Sequence, residues 1–183
     1  MANGQTQFYH RNVTLMSLCG SPPGRPAVPL LLDLEPQRAG EGEVATALRL
    51  LERVLTAYPR AFDVFLADAL YAVEPFLNFL LAHGKDALVV LKDERRNAYQ
   101  DAAGLWAQQR PQLGSYASRS CRWWDIPDLL SWPEVQGATR VVRSEESWTV
   151  KPQLTKEVTS QTTSWVWMTT LSVAKPAPNR SCA

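Results

Sequence analysis

DVFLADALYAVEPFLNFLLAHGKDALVVLKDERRNAYQDAAGLW, residues 63–106, decides how the chain is read. FDVFLAD, 62–68, is an apolar run of strand length that stops at Asp68. EPFLNFLLA, 74–82, reads as a helix: Pro75 suits its first turn, Glu74 suits its positive end, and Gly84 closes it. DALVVLK, 86–92, is a second buried-strand candidate, followed by the charged run Lys92-Asp93-Glu94-Arg95-Arg96. NAYQDAAGLWA, 97–107, has helical character with Asn97 as a candidate cap.

Working upstream, Val44, Ala47, Leu48, Leu51, Val54, Leu55 and Tyr58 recur at three- and four-residue steps, while Arg49, Glu52 and Arg53 face elsewhere. That spacing predicts an amphipathic helix over 43–58, ended at Tyr58-Pro59 because proline disfavours helix in its predecessor. The segment 43–107 therefore alternates helix, strand, helix, strand, helix, the pattern of an α/β layer with parallel strands. Before it, FYHRNVTLMSL (8–18) and AVPLLLDL (27–34) read as strands separated by the proline-rich turn SPPGRP. Downstream the character changes. TRVVRSEESWTV (139–150) and TTSWVWMTTLSV (162–173) are rich in Thr, Val and Trp, which favours strands, with KPQLTKEVTSQ as the linker. Residues 110–173 are expected to be mainly antiparallel and β-rich, and AKPAPNRSCA to fray.

Composition narrows the function classes. The 183 residues are 45% hydrophobic and 20% charged, with a formal net charge of +1, which fits a globular chain and excludes a polybasic or acidic tail protein. Near-neutral total charge leaves nucleic acid open, since binding follows local patches. No apolar run reaches a membrane-spanning length and no signal-peptide pattern opens the chain, so a cytoplasmic location is expected. Cys19, Cys121 and Cys182 lack metal-ligand spacing, and two histidines are too few for a His-rich metal site.

Among chemistry-bearing residues, Asp68 stands out because it ends a buried strand, where open α/β sheets place ligands. The plainer alternative is a turn aspartate closing that strand. Asp33, at the end of another strand, is a candidate second carboxylate. Lys92, Arg95 and Arg96 leave the second strand of the α/β unit, near the same sheet edge as Asp68 if the two strands are parallel. They can contact phosphates, or form a solvated loop neutralised by Asp93 and Glu94. Trp165 and Trp167, two apart on one strand, fit sheet packing better than base stacking, and the roles of Trp123, Trp124 and Trp148 stay open.

The quoted stretch resembles the second-aspartate region of bacterial insertion-sequence DDE transposases, in the group with a β-rich insertion before the final catalytic glutamate. The family pattern is an apolar strand ending in Asp, then Ala and an aromatic, a helix, a glycine, and a strand ending in Lys before a charged run. Here these are FLAD with Asp68, Ala69-Leu70-Tyr71, residues 74–82, Gly84, and VVLK with Lys92. FYHRNV and PLLLDLEP look like the second and third strands of a ribonuclease H-like core, and GEGEVATALRLLERVLTAYPR like the helix after them.

The resemblance implies an α/β fold: an incomplete ribonuclease H-like core over 8–107, lacking its first strand, a β-rich insertion over 108–173, and a frayed tail over 174–183. It implies metal-dependent DNA cleavage and strand transfer, with two Mg2+ or Mn2+ ions held by three carboxylates. Only the second carboxylate maps, onto Asp68, as both catalytic residue and metal ligand. Asp33 then falls on the third strand and drops out as a catalytic partner. The first aspartate would precede Phe8 and the last glutamate would follow Val173; Glu145, Glu146 and Glu157 lie inside the insertion and do not fit. Read this way the sequence is a transposase fragment clipped at both ends, inactive as written, binding metal poorly and duplex DNA weakly and without sequence preference through Lys92, Arg95 and Arg96. The alternative is a small α/β binding or regulatory protein in which Asp68 is structural.

Overall fold

A computed structural model of the protein describes residues 11–18, 28–92, 97–116, 118–150 and 159–172. They form a mixed α/β structure rich in sheet, with eight strands and three α-helices, in two compact units that divide between Asp63 and Val64. Among the described residues, no helix is long and apolar enough to cross a membrane.

The first unit is a hairpin with one helix. Strand β1 (Asn12–Leu18) pairs antiparallel with β2 (Pro29–Pro36), and helix α1 (Glu43–Ala57) packs against both. Pro36 is the last residue of β2, a strand end where its missing N–H costs no ladder bond. The periodicity of 43–58 places the buried side of α1 well: Ala47, Leu51, Val54 and Leu55 are buried, joined by Leu50 and Thr46. Each large aliphatic side chain so buried contributes about 1.5–3 kcal/mol. Tyr58, expected on this stripe, is instead 68% exposed, because the helix ends at Ala57 and Tyr58 turns away as its C-terminal cap.

Arg49 and Arg53 do not simply face solvent. Arg49 Nε donates to Glu35 at 2.9 Å and its Nη1 reaches Glu41; Arg53 Nε donates to Asp33 at 2.8 Å and its Nη1 reaches Glu35. Further bonds run to the Pro36 and Leu34 carbonyls, at 2.9 and 3.0 Å. A two-stranded ribbon is marginal by itself in water. Here two arginines on one helix rim fasten it down, with Glu35 only 9% exposed between them.

The second unit is built on one six-stranded sheet in the order β3-β4-β8-β7-β6-β5. Strands β3 (Val64–Ala67) and β4 (Asp86–Val90) are parallel, as the helix between them requires. That helix, α2 (Glu74–Ala82), has Pro75 in its first turn and buries Phe76, Leu77 and Leu80. It closes on Gly84 at φ +66°, where the Lys85 N–H returns to the Leu80 carbonyl at 2.9 Å. Helix α3 begins at Asn97 and runs to Trp106; the residue that would cap it lies outside the described residues.

Strands β5 (Gln112–Tyr116), β6 (Arg119–Leu129), β7 (Thr139–Val150) and β8 (Thr159–Thr169) form an antiparallel meander, in keeping with a β-rich 110–173; the Thr-, Val- and Trp-rich composition marks β7 and β8. Strand β8 starts inside the expected linker and ends four residues early, and β8 pairs with β4. The meander thus continues the sheet of the parallel pair. The expected boundary at residue 107 falls between α3 and β5, within the second unit.

The ion-paired rim of α1 sets an acid response. Hydrogen bonds from Arg53, then from the Leu34 N–H, hold the Asp33 carboxyl below its ordinary range; bonds from Arg53 and then Arg49 do the same to Glu35. A carboxylate whose folded pKa is depressed stabilises the fold above its unfolded pKa, near 4, and loses that contribution as pH falls through the folded value. Arg53→Met therefore lowers the urea midpoint at neutral pH, and the difference from wild type shrinks as pH falls below about 4. A difference independent of pH between neutrality and strong acid would show that packing, not the ion pairs, is what the substitution removes. All seven tryptophans lie in the second unit, so helical circular dichroism is the signal to follow.

Candidate functional site

Asp68 follows the last residue of β3, at the carboxyl end of the parallel pair. Register pairs Ala67 with Val89, so Lys92, two residues beyond β4, leaves the sheet at the same end. The condition for their proximity to one edge, parallel strands, is met. Asp68 and Lys92 are both exposed. Arg95 and Arg96, with Asp93 and Glu94, lie outside the described residues, so the cationic cluster is placed only through Lys92.

Local chemistry explains why the chain turns at Asp68. The residue is extended, at φ −78° and ψ −176°, and its Oδ1 accepts the Leu70 N–H at 2.9 Å. It thereby caps the short 3-10 turn Ala69–Tyr71, a common task for aspartate. Tyr71 follows, buried, with its ring 5.0 Å from Phe76 and 6.0 Å from Phe65. The aromatic three residues past Asp68 thus anchors the turn against α2. Tyr71 after the aspartate is explained by packing, independently of any ligand.

The other acidic candidate, Asp33, is occupied by Arg53 and by the Leu34 N–H at 2.7 Å. Among the described residues, no group of three or more His, Cys, Asp or Glu side chains could hold a metal ion. The described donors therefore do not fit the two-ion site that the family resemblance implies. His83 is engaged too: its Nδ1 lies 2.8 Å from the Phe79 carbonyl and its ring packs 4.3 Å from that of Phe79.

The five tryptophans on strands divide between the two faces of the sheet. Trp124 lies on the face covered by α3, where the Arg143 guanidinium sits 4.9 Å from its ring centre and 5.4 Å from that of Trp106. Glu145, buried, accepts from Arg122 Nε at 2.6 Å and is also bridged by Arg143. A buried carboxylate needs such partners to be tolerated. Trp123, Trp148, Trp165 and Trp167 share the opposite face by strand alternation. Trp165 and Trp167 contact each other at 5.9 Å, in keeping with sheet packing, although Trp165 stays 41% exposed. Trp123 reaches over Gly114, where an added Cβ would meet its ring atoms at 3.0 and 3.1 Å, and donates to Gln112 at 3.1 Å. Arg119 stacks 4.4 Å from the Trp148 ring centre and pairs with Glu146 at 2.7 Å; Arg140 grips Asp125, with Nε at 2.6 Å.

Sequence reading passed over these arginines. The available signal was the alternation of Arg119, Arg122, Arg140 and Arg143 with Asp125, Glu145 and Glu146 in two segments of strand composition, a pattern that fits cross-strand ion pairs.

No family model matches the chain, and no curated protein matches it in sequence.

The cap geometry separates two substitutions. Asparagine caps about as well as aspartate, so Asp68→Asn changes unfolding stability by less than about 1 kcal/mol. Asp68→Ala removes the acceptor for the Leu70 N–H and costs about 1 kcal/mol. Urea melts of both variants check this. A loss above about 2 kcal/mol in Asp68→Asn would mean that the charge itself anchors the turn.

Proposed function

We propose that these residues belong to the catalytic core of an insertion-sequence DDE transposase, with a ribonuclease H-like fold and a β-rich insertion formed by β5–β8. The observation that carries the reading is Asp68 at the carboxyl end of β3, with α2 crossing to parallel β4 and Lys92 leaving the same edge. The antiparallel strands β5–β8, which follow the second parallel strand and α3 in the chain, support it as the β-rich segment the resemblance calls for. The family reaction is metal-dependent cleavage and joining of DNA. Asp68 would be one ligand of the metals, supplying charge that holds an ion against the reacting phosphate. One carboxylate cannot form that clamp, and the described donors do not complete it. No catalytic step is assigned to these residues alone.

The purified 183-residue chain accordingly neither nicks nor joins duplex DNA with magnesium or manganese. Robust metal-dependent cleavage that Asp68→Ala abolishes would overturn the reading of these residues as an incomplete site. Duplex DNA is the proposed partner, held weakly and without sequence preference by Lys92, Arg95 and Arg96. Three phosphate contacts give a log–log salt slope of roughly −2.7. Equal affinity and slope after Arg95→Ala with Arg96→Ala would identify the cluster as a solvated loop.

A second reading is favoured by one specific observation, the Asp68 Oδ1 bond to the Leu70 N–H. In it Asp68 is a structural cap and the chain is a small α/β binding or regulatory protein. Absence of any DNA binding at low salt, together with the stability pattern expected for a cap, would select it.

A further inference from the structure

The groove in the first unit has a composition that no part of the DNA reading uses. It lies between β2 and the turn after α1, has a volume of about 650 Å3, and is lined by Leu31, Leu32, Ala57, Tyr58, Pro59, Arg60 and Ala61. Its size is that of a small-molecule site. Two backbone features create it. The β1–β2 register pairs Leu15 with Asp33 but Met16 with Leu31, leaving Leu32 without a partner, so the ladder is broken beside the groove. Opposite, α1 stops at Ala57, and the Ala61 N–H closes a turn onto the Tyr58 carbonyl at 2.9 Å. The walls are therefore aliphatic and aromatic side chains that the hairpin and helix do not bury against each other; Leu31 is 52% and Tyr58 68% exposed.

One charged group stands on this lining. Arg60 follows α1 by three residues, where the negative end of the helix dipole favours a cation. Its full charge exceeds the dipole's fractional one, of about half a unit, and it has no carboxylate partner among the described residues. The other arginines of this unit with described ion pairs, Arg49 and Arg53, are each shared between two carboxylates. An apolar groove whose lining carries one guanidinium, unpaired among the described residues, selects for an apolar chain carrying one anionic head.

We propose that this groove binds a free amphiphilic monocarboxylate, with the aliphatic tail against Leu31, Leu32, Ala57 and Pro59 and the head on Arg60. The guanidinium fork matches a carboxylate in shape and charge. The site lies wholly in the first unit and does not depend on the transposase reading, so either can fail without the other.

Calorimetric titration with octanoate, hexanoate and 1-octanol, near neutral pH and below micelle formation, tests the assignment. Octanoate binds the wild-type chain about tenfold more tightly than hexanoate, the effect of two methylenes leaving water. It also binds at least about tenfold more tightly than 1-octanol, the effect of a charge-assisted contact. Arg60→Gln removes the preference for acid over alcohol and keeps the dependence on chain length. Leu31→Asp, at an exposed position, weakens octanoate by at least about tenfold through like charge and a lost wall, with circular dichroism unchanged. Equal binding of acid and alcohol to wild type, indifference to chain length, or no binding of octanoate at all would each overturn the proposal.

Discussion

The pairing of β4 with β8 is the constraint on which the second unit depends. A parallel pair of four- and five-residue strands has too little area to hold a sheet by itself. Strand β8 supplies the third partner. Val89 and Met168, opposite each other and fully buried, join the core under the parallel pair to the core under the meander. The Leu91 N–H donates to the Val166 carbonyl at 2.8 Å, and Thr169 and Thr170 add side-chain bonds to both backbone groups of Ala87. Because β4 is fixed on both sides, the turns that leave the β3–β4 edge, at Asp68 and Lys92, start from a rigid base. That is what any site at this edge requires of its scaffold.

Arginine–carboxylate pairs are the second recurring device. Arg49 and Arg53 clamp the hairpin of the first unit through Asp33, Glu35 and Glu41. Arg119, Arg122 and Arg140 tie β6 to β7 through Glu146, Glu145 and Asp125, and Arg143 pairs with Glu145 along β7. Exposed pairs contribute little each, yet Glu35 and Glu145 are buried enough that losing an arginine leaves a desolvated charge behind. Six of the described arginines are engaged in these pairs within the fold.

Periodicity made much of this fold legible. The three-four spacing of 43–58 marks the buried side of α1, and Pro75 with Gly84 brackets α2, because these signals come from local backbone chemistry. Strands β5 and β6 were readable only as a β-rich region: Gly114 and Pro127 interrupt their alternation, and a side chain at Gly114 would meet the Trp123 ring. The continuation of the meander onto β4 depends on contacts between residues some eighty apart, which no local pattern encodes. At the candidate site, the sequence correctly puts Asp68 at a strand end. Its hydrogen bond to Leu70 and the packing of Tyr71 are tertiary details that spacing alone leaves open. Tyr58 shows the limit of counting: it keeps the helical step but lies one residue past the last helical turn.

The most direct test of the account is whether the parallel pair and the meander form one sheet. Nuclear Overhauser contacts between Val89 and Met168, combined with hydrogen exchange at the Leu91 amide, measure that junction. One sheet predicts a cross-strand contact between the two side chains and Leu91 protection as strong as that of the β7–β8 ladder, since both would open only with the unit as a whole. Absence of the contact, with Leu91 exchanging freely while β7 and β8 stay protected, would show the meander folding apart from β3 and β4. The Asp68 edge would then have no scaffold.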